Sequence, residues 1–303
     1  MPRFVDLLPS PELLDGCDCE RDCCTASACA CLVYAPNGRY YVAPQQTEDI
    51  CPDLVLSEEI LGEQTGGNTD RPVLECKPTC RCKPNCCNRL VQKPSVLQPH
   101  LTVFDTKTNK GVGVRCSVDI PRGSYICEYA GEAIANSDAI KTHNTQNPTQ
   151  RADNTQNFDQ KCDSTQNSAQ SCHDIQNSGG ADASNPTETD HDTQNFVHNY
   201  ILIVYEHLSG SDDILTTCID SRNAKSISRY FNHSCDPNMI LLPVRVEQTR
   251  PRICLFARKN ILAWEELTFD YGSSVRKSTQ KACLCGTSEC RGFLPTILFE
   301  DRN

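Results

Sequence analysis

The chain has 303 residues, a formal net charge of −10 and 22 cysteines. An acidic chain repels phosphate backbones, which argues against a direct nucleic-acid site and favours a basic peptide as partner. No stretch approaches the roughly 18 apolar residues of a membrane span, and residues 1–16 lack the basic start and long apolar run of a secretory signal. The cysteines are therefore expected to be intracellular, reduced and zinc-binding rather than a disulfide scaffold.

The first cysteine cluster reads Cys17-x-Cys19, Cys23, Cys24 and Cys29-x-Cys31, and after a loop holding Cys51 it resumes as Cys76-x3-Cys80-x-Cys82-x3-Cys86 with Cys87 adjacent. Apolar residues are sparse here, so metal rather than a hydrophobic core is expected to hold the region. Cysteines one residue apart are too closely spaced for an isolated four-cysteine site and instead suit shared thiolates. About three zinc ions with nine sulfurs, three of them bridging, give four ligands per metal. The nine are taken as Cys17, Cys19, Cys24, Cys29, Cys31, Cys76, Cys80, Cys82 and Cys86, with Cys51, Cys87 and Cys23 as spectators and the choice between Cys23 and Cys24 open.

From Leu90 the composition changes. Leu101–Phe104 alternates as a strand, Asp105–Lys110 is a polar turn, and Gly111–Arg115 is a strand opening on two glycines. Val118–Gly123 reads as strand then turn, Tyr125–Gly131 as a short strand, and Ser137–Lys141 as helical. Short strands at near-regular spacing predict a mainly β, β-rich α+β fold.

Residues 142–195 contain only Phe158 and Ile175 as large apolar side chains, and eight acids against Arg151 and Lys161 supply six of the ten net negative charges. Thr-Gln-Asn recurs at 145, 155, 165 and 193, with Ile-Gln-Asn at 175. A repeat without an apolar position cannot stack as a solenoid, so a disordered polar expansion within one domain is expected.

Order resumes with strands at Tyr200–Tyr205 and Leu215–Ile219 and a short helix over Ser221–Tyr230. Next comes Arg229-Tyr-Phe-Asn232-His233-Ser-Cys235-Asp-Pro-Asn238, which concentrates an amide, an imidazole, a hydroxyl, a thiol and a carboxylate between apolar flanks. Such groups need internal or ligand partners when buried. Ile240–Val246 and Ile253–Ala257 read as a hairpin and Trp264–Gly272 as a strand ending in a turn. The tail carries Cys283-x-Cys285-x4-Cys290, three sulfurs for which Cys235 is the candidate fourth ligand.

Gly111-x-Gly113, Glu128-Tyr-x-Gly-Glu132, Arg229-x-x-Asn-His-Ser-Cys235 and Glu266-x-x-Phe-Asp-Tyr271-Gly272, bracketed by two cysteine clusters, resemble the SET-domain protein lysine methyltransferases. The leading cluster is similar to the pre-SET module of the branch that modifies the ninth-position lysine of histone H3. The resemblance implies a SET fold with a knot-like core, a loop-rich pre-SET zinc cluster at 15–95, a catalytic domain at 96–275 and a post-SET zinc tail at 279–295. It implies zinc (three ions in the pre-SET cluster, one in the post-SET site) and S-adenosylmethionine held by Lys110, Gly111, Val112, Tyr200, Arg229, Asn232 and His233. Tyr271 is implied as the catalytic tyrosine, with Tyr200 orienting the amine and Phe269 leaving room for di- or trimethylation. Val112 departs from the family, which usually has tryptophan there.

Zinc-bound thiolates would make the protein more acidic than its formal charge, favouring basic histone tails and, through them, a nuclear, chromatin setting. The competing expectations are a catalytically silent SET-fold chromatin reader or scaffold, and a methyltransferase for a non-histone lysine.

Overall fold

The computed structural model describes residues 16–20, 23, 29–44, 53–63, 73–135, 138, 200–207, 214–246, 250–272 and 281–295, all within one compact unit. The Thr-Gln-Asn segment at 142–195, Cys24, Cys51 and, apart from Asp138, the helix expected at Ser137–Lys141 lie outside these residues.

The strands form small sheets. In the first part of the chain, β1 (Tyr41–Val42) pairs with β2 (Val55–Leu56), and a short helix α1 (Glu58–Glu63) follows. β3 (Val73–Leu74) leads directly into Cys76. β4 (Leu101–Asp105) and β5 (Val112–Cys116) make an antiparallel hairpin running from Leu101 opposite Cys116 to Asp105 opposite Val112. Its turn is closed by the Asp105 carboxylate, which accepts from Lys107 N–H at 2.8 Å, and by Gly111 at φ +78°, a conformation that favours glycine.

β6 (Tyr125–Glu128), β11 (Met239–Arg245) and β12 (Arg252–Ala257) build a four-stranded sheet with β3, in the order β3-β11-β12-β6. β3 runs parallel to β11, with Val73 opposite Val244, so the cysteine-rich segment is stitched to the later half of the chain by backbone hydrogen bonds. β7 (Glu132–Ile134), β8 (Ile201–His207) and β9 (Ile214–Asp220) form a three-stranded sheet with β9 central. The last pairing is the one that makes the site: β10 (Asn232–His233) lies parallel to β13 (Thr268–Phe269), with Asn232 opposite Thr268 and His233 opposite Phe269.

One apolar cluster, including Leu97, Val114, Ile126, Phe231, Leu255 and Phe269, packs beneath the β10 and β13 pairing. A second combines Tyr40, Tyr41, Leu56, Ile60 and Val73 with the cysteines and with Val244 and Phe256. This corrects the expectation that the cysteine region has no apolar core. Tyr40 and Tyr41 are 1% and 2% exposed, and their apolar partners come from β2, α1 and a distant strand that the local sequence does not reveal.

Three local expectations are also revised. The helix over Ser221–Tyr230 shrinks to a 3-10 turn at Ile227–Tyr230, started by Ser226 Oγ, which accepts from Ser228 N–H. Val118–Ile120 is not a strand but a single bridge between Ile120 and Ile261. Of Trp264–Tyr271 only Thr268–Phe269 is strand, because Trp264 sits at φ +70° and breaks the extended run, leaving a lone bridge from Glu266 to Arg115.

Candidate active site

Tyr271 follows β13, and its ring lies 4.9 Å from Phe269 and 5.3 Å from the His233 imidazole, measured between centroids. Its hydroxyl donates to Phe231 O at 2.7 Å and its backbone N–H donates to His233 Nδ1 at 3.2 Å. Tyr271 is 39% exposed as a whole, but desolvation of its hydroxyl pushes the phenol above the ordinary tyrosine pKa, so it is a neutral hydrogen-bond donor. Phe269 is 3% exposed and also meets Tyr129, 6.0 Å away edge to face. Tyr129 is a wall residue that sequence reasoning passed over. It stood inside the quoted Glu128-Tyr-x-Gly-Glu132 motif, and its hydroxyl lies 3.1 Å from Ser221 Oγ.

The Asn232–His233 turn is held from several sides. Asn232 Nδ2 donates to Val112 O at 2.9 Å and to Glu266 Oε1 at 2.8 Å, and Lys110 Nζ pairs with Glu266 Oε2 at 2.5 Å. The Lys110 ammonium is thus engaged by Glu266. The two glycines have separate tasks. A Cβ on Gly113 would come within 2.7 Å of Glu266 Oε1 and 3.2 Å of Asn232 Nδ2, so that glycine lets β5 approach the turn. A Cβ on Gly111 would meet nothing within 4 Å, so the space over this residue is open, while its N–H and carbonyl are used in the turn by Thr108 O and Thr106 N–H.

Asn238, 3% exposed, donates from Nδ2 to Glu265 Oε1 and Glu266 O at 2.8 Å and accepts from Thr268 N–H at 2.9 Å, fastening the two parallel segments together. Arg229 stacks its guanidinium over Tyr200 at 4.5 Å and Tyr230 at 5.4 Å, which brings Tyr200 to the same wall. Burial holds the His233 pKa down at about 4, with Asp270 raising it and Arg291 lowering it further, so the imidazole is neutral near pH 7. With Nδ1 accepting from Tyr271 N–H, the ring proton belongs on Nε2, 3.3 Å from Cys235 Sγ.

Four groups of cysteines among the described residues have sulfurs within 4.8 Å of one another. They are Cys17, Cys23, Cys29 and Cys76; Cys17, Cys31, Cys76 and Cys80; Cys23, Cys76, Cys82 and Cys86; and Cys235, Cys283, Cys285 and Cys290. The sulfur separations of 3.5 Å for Cys17 to Cys23, 3.6 Å for Cys31 to Cys80 and 3.8 Å for Cys235 to Cys283 are close to the tetrahedron edge of about 3.8 Å that a Zn–S bond of about 2.3 Å implies. The residues present therefore fit zinc. Cys23, fully buried, has its sulfur in two of these groups, and Cys24 lies outside the described residues. Cys19, in none of the four groups, lies beside this cluster, where Cys17, Cys23 and Cys29 act on its thiol. Cys76 is common to all three leading groups and receives Asn88 Nδ2–H at 3.4 Å, a donor that offsets thiolate charge.

The parallel Asn-His and Phe-Asp-Tyr pairing, lined by aromatics and adjoined by a cysteine tail, brings together the motifs that resemble a SET domain. Residues 111–272 match that family, and the chain belongs to it: it is an S-adenosylmethionine-dependent protein lysine methyltransferase with zinc-binding cysteine modules on both sides. Among its relatives, the histone-lysine N-methyltransferase SETMAR of Mus musculus is 31% identical over 96% of this chain and 77% of its own length. The Homo sapiens SETMAR is 30% identical over 96% of this chain but only 35% of its own length. Among solved structures, the methyltransferase domain of human SETMAR superposes with a TM-score of 0.58 at 28% identity, covering 93% of this chain and 81% of that one. KRYPTONITE in complex with mCHH DNA, H3(1-15) peptide and SAH superposes at 0.58 with 26% identity, over 97% of this chain and 46% of its own.

Proposed function

We propose that the chain methylates a histone H3 tail, at the ninth-position lysine, and carries the reaction to the di- or trimethyl state. The observation that carries this reading is the aromatic cluster itself: Tyr271 and Phe269 lie 4.9 Å apart, Tyr129 lies 6.0 Å from Phe269, and the Asn232–His233 turn adjoins them. The H3 peptide bound by KRYPTONITE and the leading cysteine cluster support the substrate assignment.

S-adenosylmethionine, when bound, supplies an electrophilic methyl group on sulfur. Asn232 and His233 would hold it, with the open space over Gly111 admitting it, and Arg229 and Tyr200 would complete the pocket. The reaction needs an uncharged amine, whereas a lysine amine in water has a pKa of about 10.4. Burial between Tyr129, Phe269 and Tyr271 disfavours the ammonium form, and the neutral phenols orient the lone pair without adding charge. Positioning is the main contribution, since the displacement needs no covalent enzyme intermediate. Residues 15–95, 96–275 and 279–295 act in this reading as zinc module, catalytic domain and zinc tail. The partner is a basic histone tail reached in nuclear chromatin, with no direct nucleic-acid contact and no membrane; no described helix is long and apolar enough to cross one.

The test is incubation with labelled S-adenosylmethionine and H3 peptides spanning residues 1–15, intact or with the ninth-position lysine replaced by alanine. Label should enter the intact peptide and not the replaced one. Equal labelling of both would overturn the site assignment, and labelling of neither would overturn the histone reading.

A further inference from the structure

The tail that brings Cys283, Cys285 and Cys290 to Cys235 also delivers Arg291, whose contacts the chemistry described so far does not use. Arg291 Nη2 donates to Asp270 Oδ1 at 2.6 Å and lies 3.4 Å from His233 Nε2. Its Nη1 donates to Gly272 O at 3.2 Å, and its backbone N–H donates to Cys235 Sγ at 3.3 Å. One side chain thus grips the residue before Tyr271 and the residue after it; its proximity to His233 Nε2 is not a hydrogen bond, because that nitrogen carries the ring proton. Asp270 Oδ1 in turn accepts from Gly272 N–H at 3.0 Å, so the three-residue turn is closed around Tyr271. Arg291 Nε is buried with no acceptor among the described residues, so the guanidinium is held by its Nη contacts.

We propose that Arg291 is a positioning residue for methyl transfer: it latches the cysteine tail to Asp270 and Gly272 and so fixes the Tyr271 ring against Phe269 and His233. The proposal rests on the methyltransferase reading of Tyr271 and extends it to a residue outside the channel. Asp270 and Arg291 side chains are 40% and 30% exposed, so solvent screens the pair and its effect on global stability is small. Its effect on rate is larger, because a displacement of about 1 Å at a reacting group costs on the order of a hundredfold. A lysine at 291 keeps the charge but loses the planar fork that reaches Asp270 and Gly272 together.

The experiment compares the zinc-loaded full chain with Arg291→Lys, Asp270→Asn and the double variant. Four quantities are read: zinc per chain, kcat, KM for an H3 peptide, and hydrogen exchange of the 268–272 backbone. In each single variant zinc should be unchanged, kcat should fall on the order of tenfold or more with KM within about threefold, and exchange should quicken on the order of tenfold. The double variant should be no worse than the poorer single one, as for two ends of one contact. Unchanged kcat and exchange, or losses that multiply in the double variant, would overturn the latch. Loss of zinc from Arg291→Lys would also overturn it, since the residue would then act through the metal site. If the wild type transfers no methyl to any peptide, the functional reading falls, and the exchange measurement still decides whether the latch exists.

Discussion

Tyr271 and Phe269 are adjacent in the channel but differ in what they ask of the chemistry. Tyr271 spends its hydroxyl hydrogen on Phe231 O, so Tyr271→Phe leaves that carbonyl without its donor and removes the oxygen that would face the amine. We expect kcat to fall by about a hundredfold or more, with S-adenosylhomocysteine affinity changed less than about threefold, read by turnover and calorimetry. Phe269 is nearly fully buried against Tyr129 and Tyr271, and a hydroxyl placed there would occupy the space a second methyl group needs. Mass spectrometry of products should show Phe269→Tyr stopping at the monomethyl state. Undiminished trimethyl product would remove Phe269 from that role.

At the level of elements, the site depends on strands that are remote in sequence. β10 and β13 pair over only two residues, and Asn238 carries the side-chain bonds that keep them in register. Further out, Glu206 on β8 and Arg245 on β11 form a bidentate pair at 2.7 and 2.8 Å, with side chains 3% and 5% exposed. Removing one partner of such a pair leaves an uncompensated buried charge. Arg245→Met should lower unfolding stability by about 3–5 kcal/mol in denaturant titration. Arg245→Met combined with Glu206→Leu should recover most of that loss, because a dry apolar contact replaces the ion pair; no recovery would show that the pair is needed for register rather than charge balance.

For the whole molecule, the two cysteine modules differ in exposure. Cys23, Cys76 and Cys86 are fully buried in the leading cluster, whereas Cys235, Cys283, Cys285 and Cys290 are all partly exposed. Metal analysis should find close to four zincs per chain, counting the sulfur groups present. A chelator should strip about one zinc first, with methyl transfer lost at that stage and the melting temperature little changed. Loss of transfer only after all the metal has gone would separate the tail from the site. Deletion of residues 144–195, which contain almost no large apolar side chains, should leave a folded, cofactor-binding protein by circular dichroism and calorimetry. Collapse on deletion would show the segment to be structural.

The sequence by itself supplied the ligand chemistry and the motifs: cysteine spacing called for zinc, Asn232 and His233 stood out in a short, dense pattern, and Phe269 and Tyr271 followed from the resemblance to the SET-domain family. It also predicted the Met239–Ala257 hairpin closely, since alternation and a polar turn are local signals. Tertiary structure alone decided that Cys23 enters the cluster, that Tyr129 faces Phe269, and that Tyr40 and Tyr41 give the cysteine region an apolar core. It likewise decided that Lys110 pairs with Glu266 across 156 residues and that Asn232 reaches Val112 across 120. The reason is physical. Spacing along the chain limits which groups can share a metal or a strand face. Contacts between distant segments follow from how sheets stack, and neither periodicity nor composition records that.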